Sequence, residues 1–166
     1  MPAVVSDTSV LHYLSVTGQF NCLEKIFHEV FIPSAVWKEV SHHRDLPVCN
    51  AATQAIAAGW LKLETPHDRQ AVQSLQRFLG AGESEAIVIA REHQPSLLLM
   101  DDLDGRATAQ RFNLPVMGTV GILVRARKLG YVASLKPVLD ELLATHRFRL
   151  DKQLYADALR EAGEIQ

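Results

Sequence analysis

The run Leu97-Leu98-Leu99-Met100, followed at once by Asp101-Asp102, most constrains what this chain can fold into. Four consecutive apolar residues bounded by polar ones suit a strand buried on both faces, and such strands belong to parallel sheets covered by helices on each side. Shorter apolar stretches at Ala3-Val4-Val5, Val30-Phe31-Ile32, Trp60-Leu61-Lys62-Leu63 and Pro115-Val116-Met117 supply further strands, the third of them at a sheet edge.

Helical spacing fills the intervals. Val10, Leu11 and Leu14 predict a helix that stops at Gly18, and Asn21 with Glu24 reads as a capping box opening a short helix to Phe27. Ser34 reads as the cap of a helix carrying Val36 and Val40, and another helix spans Val48 to Ala58. Val72, Leu75 and Leu79 lie on a helix leading to a flexible hinge at Gly80-Ala81-Gly82, after which Glu83 opens an apolar helix through Ala90. A short helix to Phe112, one from Gly118-Thr119 to Gly130, and two more over 135–145 and 152–162 complete the chain. Strands alternating with helices imply a three-layer α/β/α fold with a mainly parallel central sheet. No repeat or linker divides the 166 residues, so a single domain over 1–166 is expected, with the helices of 134–163 as its extension.

Hydrophobic residues make up 48% of the chain, enough for a core without disulfide or zinc staples. Cys22 and Cys49 have no CxxC spacing and read as buried free thiols. No apolar run approaches the ~18–20 residues that cross a bilayer, and the expectation is a cytoplasmic protein with no membrane partner. Walker and Rossmann signatures are absent, the pair His42-His43 has no HxxxH companion, and the aromatic residues are too scattered for a base-stacking platform.

Ligands of open parallel sheets gather at the carboxyl ends of the strands. Asp7 ends the first strand, and Asp101 and Asp102 end the central one. If those strands are neighbours their carboxylates meet, each raising the other's pKa unless a cation stands between them. Oxygen-only ligands select Mg²⁺ or Mn²⁺ over zinc. Structural roles stay open for each acid. Asp7 and Asp104 suit helix caps; Glu39 borders the buried face of its helix beside Val40; Glu83 and Glu85 stand at a helix start, where the dipole favours negative charge. Because Ala86-Ile87-Val88-Ile89-Ala90 is apolar all round, at least one of those two glutamates stands at the mouth of the core.

Taken in order, Asp7-Thr8-Ser9, Glu39 within Pro33-Ser34-Ala35-Val36-Trp37-Lys38-Glu39-Val40, Gly82-Glu83-Ser84-Glu85-Ala86-Ile87, Leu98-Leu99-Met100-Asp101-Asp102 and Gly118-Thr119-Val120-Gly121-Ile122-Leu123 resemble a PIN domain of the prokaryotic branch close to VapC-type toxins. The resemblance covers nearly the whole chain, through Phe148-Arg149-Leu150 and the last helix. It implies a metal-dependent endoribonuclease whose catalytic acids are Asp7, Glu39, Glu85 and Asp101.

 The same acids with Asp102 are the metal ligands it implies, with Mg²⁺ or Mn²⁺ as the cofactor. Thr8 and Ser9 match the small hydroxyl residues beside the first acid, and Glu83 and Asp104 stand behind the main set as second-rank acids. Glu85 departs from the family's more common Asp. A toxin–antitoxin pairing and a homodimer follow from the same likeness. The alternative is a PIN-fold binding or regulatory module with an inactive site.

The formal net charge of −2 conceals a strong polarity. Residues 83–104 hold six acids and one base, a net −5, whereas 105–152 hold nine bases and three acids, a net +6. An acidic segment beside a basic one suits an RNA substrate, with Arg106, Arg125, Arg127 and Lys128 as phosphate contacts. The last three also fall near a helix end, where cations favour the dipole without any ligand.

Overall fold

The computed structural model describes residues 2–44 and 46–166. Among these, five strands and ten helices alternate as β1 (Ala3–Ser6), α1 (Thr8–Val16), α2 (Cys22–Phe27), β2 (Val30–Pro33), α3 (Ser34–His42), α4 (Pro47–Ala58), β3 (Leu61–Glu64), α5 (Arg69–Leu75), α6 (Ala81–Glu92), β4 (Ser96–Leu99), α7 (Leu103–Arg111), β5 (Val116–Met117), α8 (Thr119–Lys128), α9 (Leu135–Thr145) and α10 (Lys152–Glu161). The strands form one sheet in the order β3-β2-β1-β4-β5, every pairing parallel. This is the three-layer α/β/α arrangement expected from the alternation of elements.

Strand periodicity divides the core in two. Val4 and Leu99 face one layer, packed with residues of α1, α2, α4, α8, α9 and α10. Val5, Leu98 and Met100 face the other, packed with α5, α6 and α7. Leu98, Leu99 and Met100 are wholly buried, so the central strand is covered on both sides. Burying each such side chain contributes roughly 1.5–3 kcal/mol. Helix α6 is buried nearly all round, from Gly82 to Ala90 apart from a half-buried Glu83, because it lies across β1, β2 and β4 with α3, α5 and α7 alongside.

The order of connections positions the site. The chain builds outward from β1 through β2 to β3, then returns to place β4 on the other flank of β1. Register pairs Val4 with Leu97, Val5 with Leu98 and Ser6 with Leu99. Asp7 and Asp101 therefore leave the sheet side by side, at the point where the winding reverses and a crevice opens between diverging helices. The backbone N–H of Asp7 donates to the Leu99 carbonyl at 3.1 Å, extending the pairing up to the first acid.

Local signals failed at three places. Asn21 has helical backbone angles and its side chain caps nothing, so no capping box forms. Ser34 is the first residue of α3 rather than its cap; Pro33 holds the cap position, and the Ser34 hydroxyl pairs with that of Thr65 at 2.7 Å. The Gly80-Ala81-Gly82 segment is no hinge: Gly80 caps α6, whose helix begins at Ala81 and buries Gly82. Cys22 is buried and Cys49 half-buried, both as free thiols.

Candidate active site

Asp7 is the centre of the site. Its side chain caps α1, Oδ1 accepting from the Val10 N–H at 3.1 Å, and the Ser9 hydroxyl donates to the carboxylate at 3.0–3.1 Å. Capping is thus one of its roles and does not exclude another. Asp7 is only 2% exposed. Burial pushes its pKa up to about 8; the Val10 and Ser9 hydrogen bonds oppose this, while the charges of Asp101 and Glu83 reinforce it. Carboxyl groups displaced this far by burial and neighbouring charge cluster at functional sites.

Asp101 follows β4 and is held from the neighbouring loop. Its Oδ1 accepts from the Thr119 N–H at 2.8 Å and its Oδ2 from the Thr119 hydroxyl at 2.6 Å. Gly118 makes this approach possible, because a Cβ there would stand 2.8 Å from Oδ1 and 2.7 Å from the Arg106 guanidinium. Burial raises the Asp101 pKa, against the opposing pull of Thr119 and Arg106. Arg106 also donates to the Met100 carbonyl at 3.2 Å, which keeps its positive charge at the rim.

The other acids divide. Asp102 is exposed and caps α7, accepting from the Gly105 N–H at 2.8 Å; Asp104 is exposed in the first turn of that helix. Glu39 is exposed on α3, accepts from the Thr8 hydroxyl at 2.5 Å, and lies so close over Gly82 that a Cβ there would meet Oε1 at 3.0 Å. Glu83 is half-buried and accepts from the Gly80 N–H at 2.7 Å; burial raises its pKa and the charges of Asp102 and Glu39 add to the rise. Asp7, Asp101, Glu39 and Glu83 thus surround one crevice, with Thr8, Ser9 and Arg106 among them.

Glu85 is directed elsewhere. Its Oε2 accepts from the Ala35 N–H at 2.9 Å and its Oε1 from the Arg69 guanidinium at 3.1 Å, so the buried carboxylate ties the start of α3 to α5 and α6. Glu85, expected as the third acid, is thus engaged by Ala35 and Arg69, whereas Glu83, two residues earlier on the same helix, lies near enough to Asp7 for its charge to act there. The cations at the end of α8 are also committed away from the crevice. Arg127 pairs with Glu164 at 3.0 Å, Lys128 with Glu161 at 3.5 Å, and Arg125 lies 5.5 Å over the Phe27 ring. Lys128 lies nine residues along the helix from Thr119, roughly 13–14 Å. Arg106 alone of the four expected phosphate contacts stands beside the acids.

Two residues escaped the reading of the sequence. Thr119 clamps Asp101, and Tyr13, packed edge-on against Phe148, has its pKa raised by burial and by the Asp101 charge. Thr119 is signalled by its place in a Gly-Thr pair after a strand; Tyr13, six residues beyond Asp7, has no local signal.

The donor set is oxygen only and carries excess negative charge, which fits a hard divalent cation such as Mg²⁺ or Mn²⁺. Among the described residues, no group of three or more His, Cys, Asp or Glu converges closely enough to form a ready-made metal centre. Nor is any helix among them long and apolar enough to cross a membrane. No curated protein matches the chain. A family model described as a PIN domain matches residues 3–164. PIN domains are in general nucleases that work with divalent metals and bind RNA. The match spans nearly every element of the fold, both flanks of the crevice included, and the chain belongs to the PIN-domain family.

Proposed function

We propose that this chain is a Mg²⁺- or Mn²⁺-dependent endoribonuclease whose metal-holding acids are Asp7, Asp101, Glu83 and Glu39. The observation that carries the reading is Asp7: buried, raised to about 8 by burial and neighbouring carboxylates, and set beside Asp101 at the switch point of the sheet. A bound divalent ion supplies a water of lowered pKa and stabilises charge developing on a phosphate. The protein's own part is preorganisation. Ser9 and the Val10 N–H fix Asp7, Thr119 fixes Asp101 with two hydrogen bonds, and Thr8 fixes Glu39. Arg106 brings a positive charge to the rim, where it offsets that of an incoming phosphodiester.

The experiment is cleavage of a labelled RNA in Mn²⁺ by wild type and by Asp7→Asn combined with Asp101→Asn. The double variant loses cleavage and keeps the wild-type circular dichroism; undiminished cleavage overturns the assignment. A binding module with an inactive site is the second reading, favoured by the lack of a ready-made three-acid centre among the described residues. It predicts RNA binding without turnover in either metal. The role of toxin in a toxin–antitoxin pair, and a homodimeric state, extend the nuclease reading. Co-purification with the product of an adjacent gene tests the first, and the mass in solution across micromolar concentrations tests the second.

A further inference from the structure

Beside the acid crevice lies a second concavity of about 470 Å³, bounded by α1, α3 and the start of α4. Its floor is apolar, formed by Val40, Val48 and the exposed Leu46, and one wall is the Thr8–Glu39 hydrogen-bonded pair. Whatever lies in this groove therefore touches a residue of the acid set. The polar groups around the floor are Lys38, His12, His42 and His43, and among the described residues Glu39 is the carboxylate that lines it. His42 Nδ1 is engaged with the Lys38 carbonyl at 3.2 Å, which leaves the other face of the ring toward solvent. His12 is half-buried, and burial together with His146 lowers its pKa, so near neutral pH it meets a ligand as an uncharged imidazole with one donor and one acceptor.

We infer that this groove receives the base and sugar of the RNA nucleotide flanking the scissile phosphate. An apolar floor with imidazoles at its edge is what an unstacked base requires, since bases of single-stranded RNA pack against His rings as against other aromatic groups. The volume falls in the range of small-ligand sites and accommodates one nucleoside. Lys38, which lines the groove, supplies a positive charge for a phosphate joined to that nucleoside. The two concavities differ in character: the acid crevice gathers carboxylates, whereas the groove combines an apolar floor with imidazoles and Lys38 among its described lining. The inference rests on the nuclease reading for its choice of ligand, and its test is independent of catalysis.

The test is a metal-free titration of the full chain, in EDTA, with uridine and adenosine 5′-monophosphates, followed by backbone amide NMR, with ribose 5-phosphate as the baseless control. The nucleotides shift the amides of His12, His43, Leu46 and Val48, and ribose 5-phosphate binds at least fivefold more weakly. In Leu46→Ala combined with His43→Ala, two exposed positions, nucleotide affinity falls fivefold or more and the melting temperature stays at the wild-type value. The same variant raises the KM for an oligoribonucleotide in Mn²⁺. Shifts confined to other surfaces, equal binding of ribose 5-phosphate, or groove shifts that follow protein concentration alone and mark a second copy of the chain each overturn the inference. Nucleotide binding in the groove by a wild type that cleaves no RNA sinks the nuclease reading and leaves the groove standing. Cleavage with an unchanged KM in the variant does the reverse.

Discussion

The acids at the carboxyl end of the sheet and the acid at its far corner meet opposite fates. Glu164 sits among donors: the Leu135 and Lys136 N–H groups, the Ser134 hydroxyl and Arg127 all reach it, and together they lower its pKa despite partial burial. Asp7, Asp101 and Glu83 have their pKa values raised, chiefly because burial removes water, with neighbouring carboxylates adding to the rise at Asp7 and Glu83. One region uses a carboxylate to hold helices together; the other keeps carboxylates at a cost to stability. Hydrogen-bond partners differ as sharply within one turn of helix, where Glu85 meets Ala35 and Arg69 while Glu83 meets the Gly80 N–H of its own helix start.

Breaking the acid crevice gives the largest effect. Asp7→Asn lowers Mn²⁺-dependent RNA cleavage by at least about a hundredfold, the scale of losing a preorganised charge-stabilising group, measured under single-turnover conditions. The same substitution stabilises the metal-free fold. An acid whose pKa rises from 3.8 to about 8 on folding favours the protonated native state, so wild type loses stability as pH climbs through that window. Asn keeps an acceptor for the Val10 N–H and carries no charge. The gain is up to about 4 kcal/mol at pH 7, and thermal melting at pH 5 and pH 8 checks both its sign and its growth with pH.

The α6 pair comes next in size. Glu85→Gln removes the acceptor from either Ala35 or Arg69 in a buried setting and lowers stability by about 1–3 kcal/mol, seen as a lower melting temperature. Glu83→Gln leaves melting close to wild type and lowers cleavage. The reverse pattern returns the third acid to Glu85.

Smaller effects sharpen the contrast at the far corner. Glu164→Gln lowers the melting temperature near neutral pH and has no effect on cleavage. Its pKa is lowered on folding, so its contribution is present above the ordinary carboxylate range and fades as pH falls through the native value. Arg106→Ala weakens RNA binding several-fold in a filter assay and flattens its salt dependence, whereas Arg127→Ala with Lys128→Ala leaves both close to wild type.

Much of this was readable from the chain because it depends on neighbours in sequence. The run 97–100 requires cover on both faces, and the strands it belongs with end in Asp7 and Asp101, so the juxtaposition of these acids follows once β1 and β4 pair. The choice between Glu83 and Glu85 was not readable. Both lie in the first turns of α6, and what distinguishes them is that Ala35 and Arg69, 50 and 16 residues distant, come to meet one and not the other. Arg127 and Lys128 look free for the same reason, since their partners Glu164 and Glu161 arrive on the last helix and its tail, 37 and 33 residues later. The pair Gly80 and Gly82 signals flexibility by composition, yet Gly82 serves close packing beneath Glu39.

The most direct measurement of the central claim is thermal melting of wild type and Asp7→Asn at pH 8 with and without millimolar Mn²⁺. A ligand that binds only the native state raises its stability by mass action. The account predicts that Mn²⁺ raises the melting temperature of wild type and leaves Asp7→Asn unchanged. An equal rise in both proteins, or none in wild type, contradicts it.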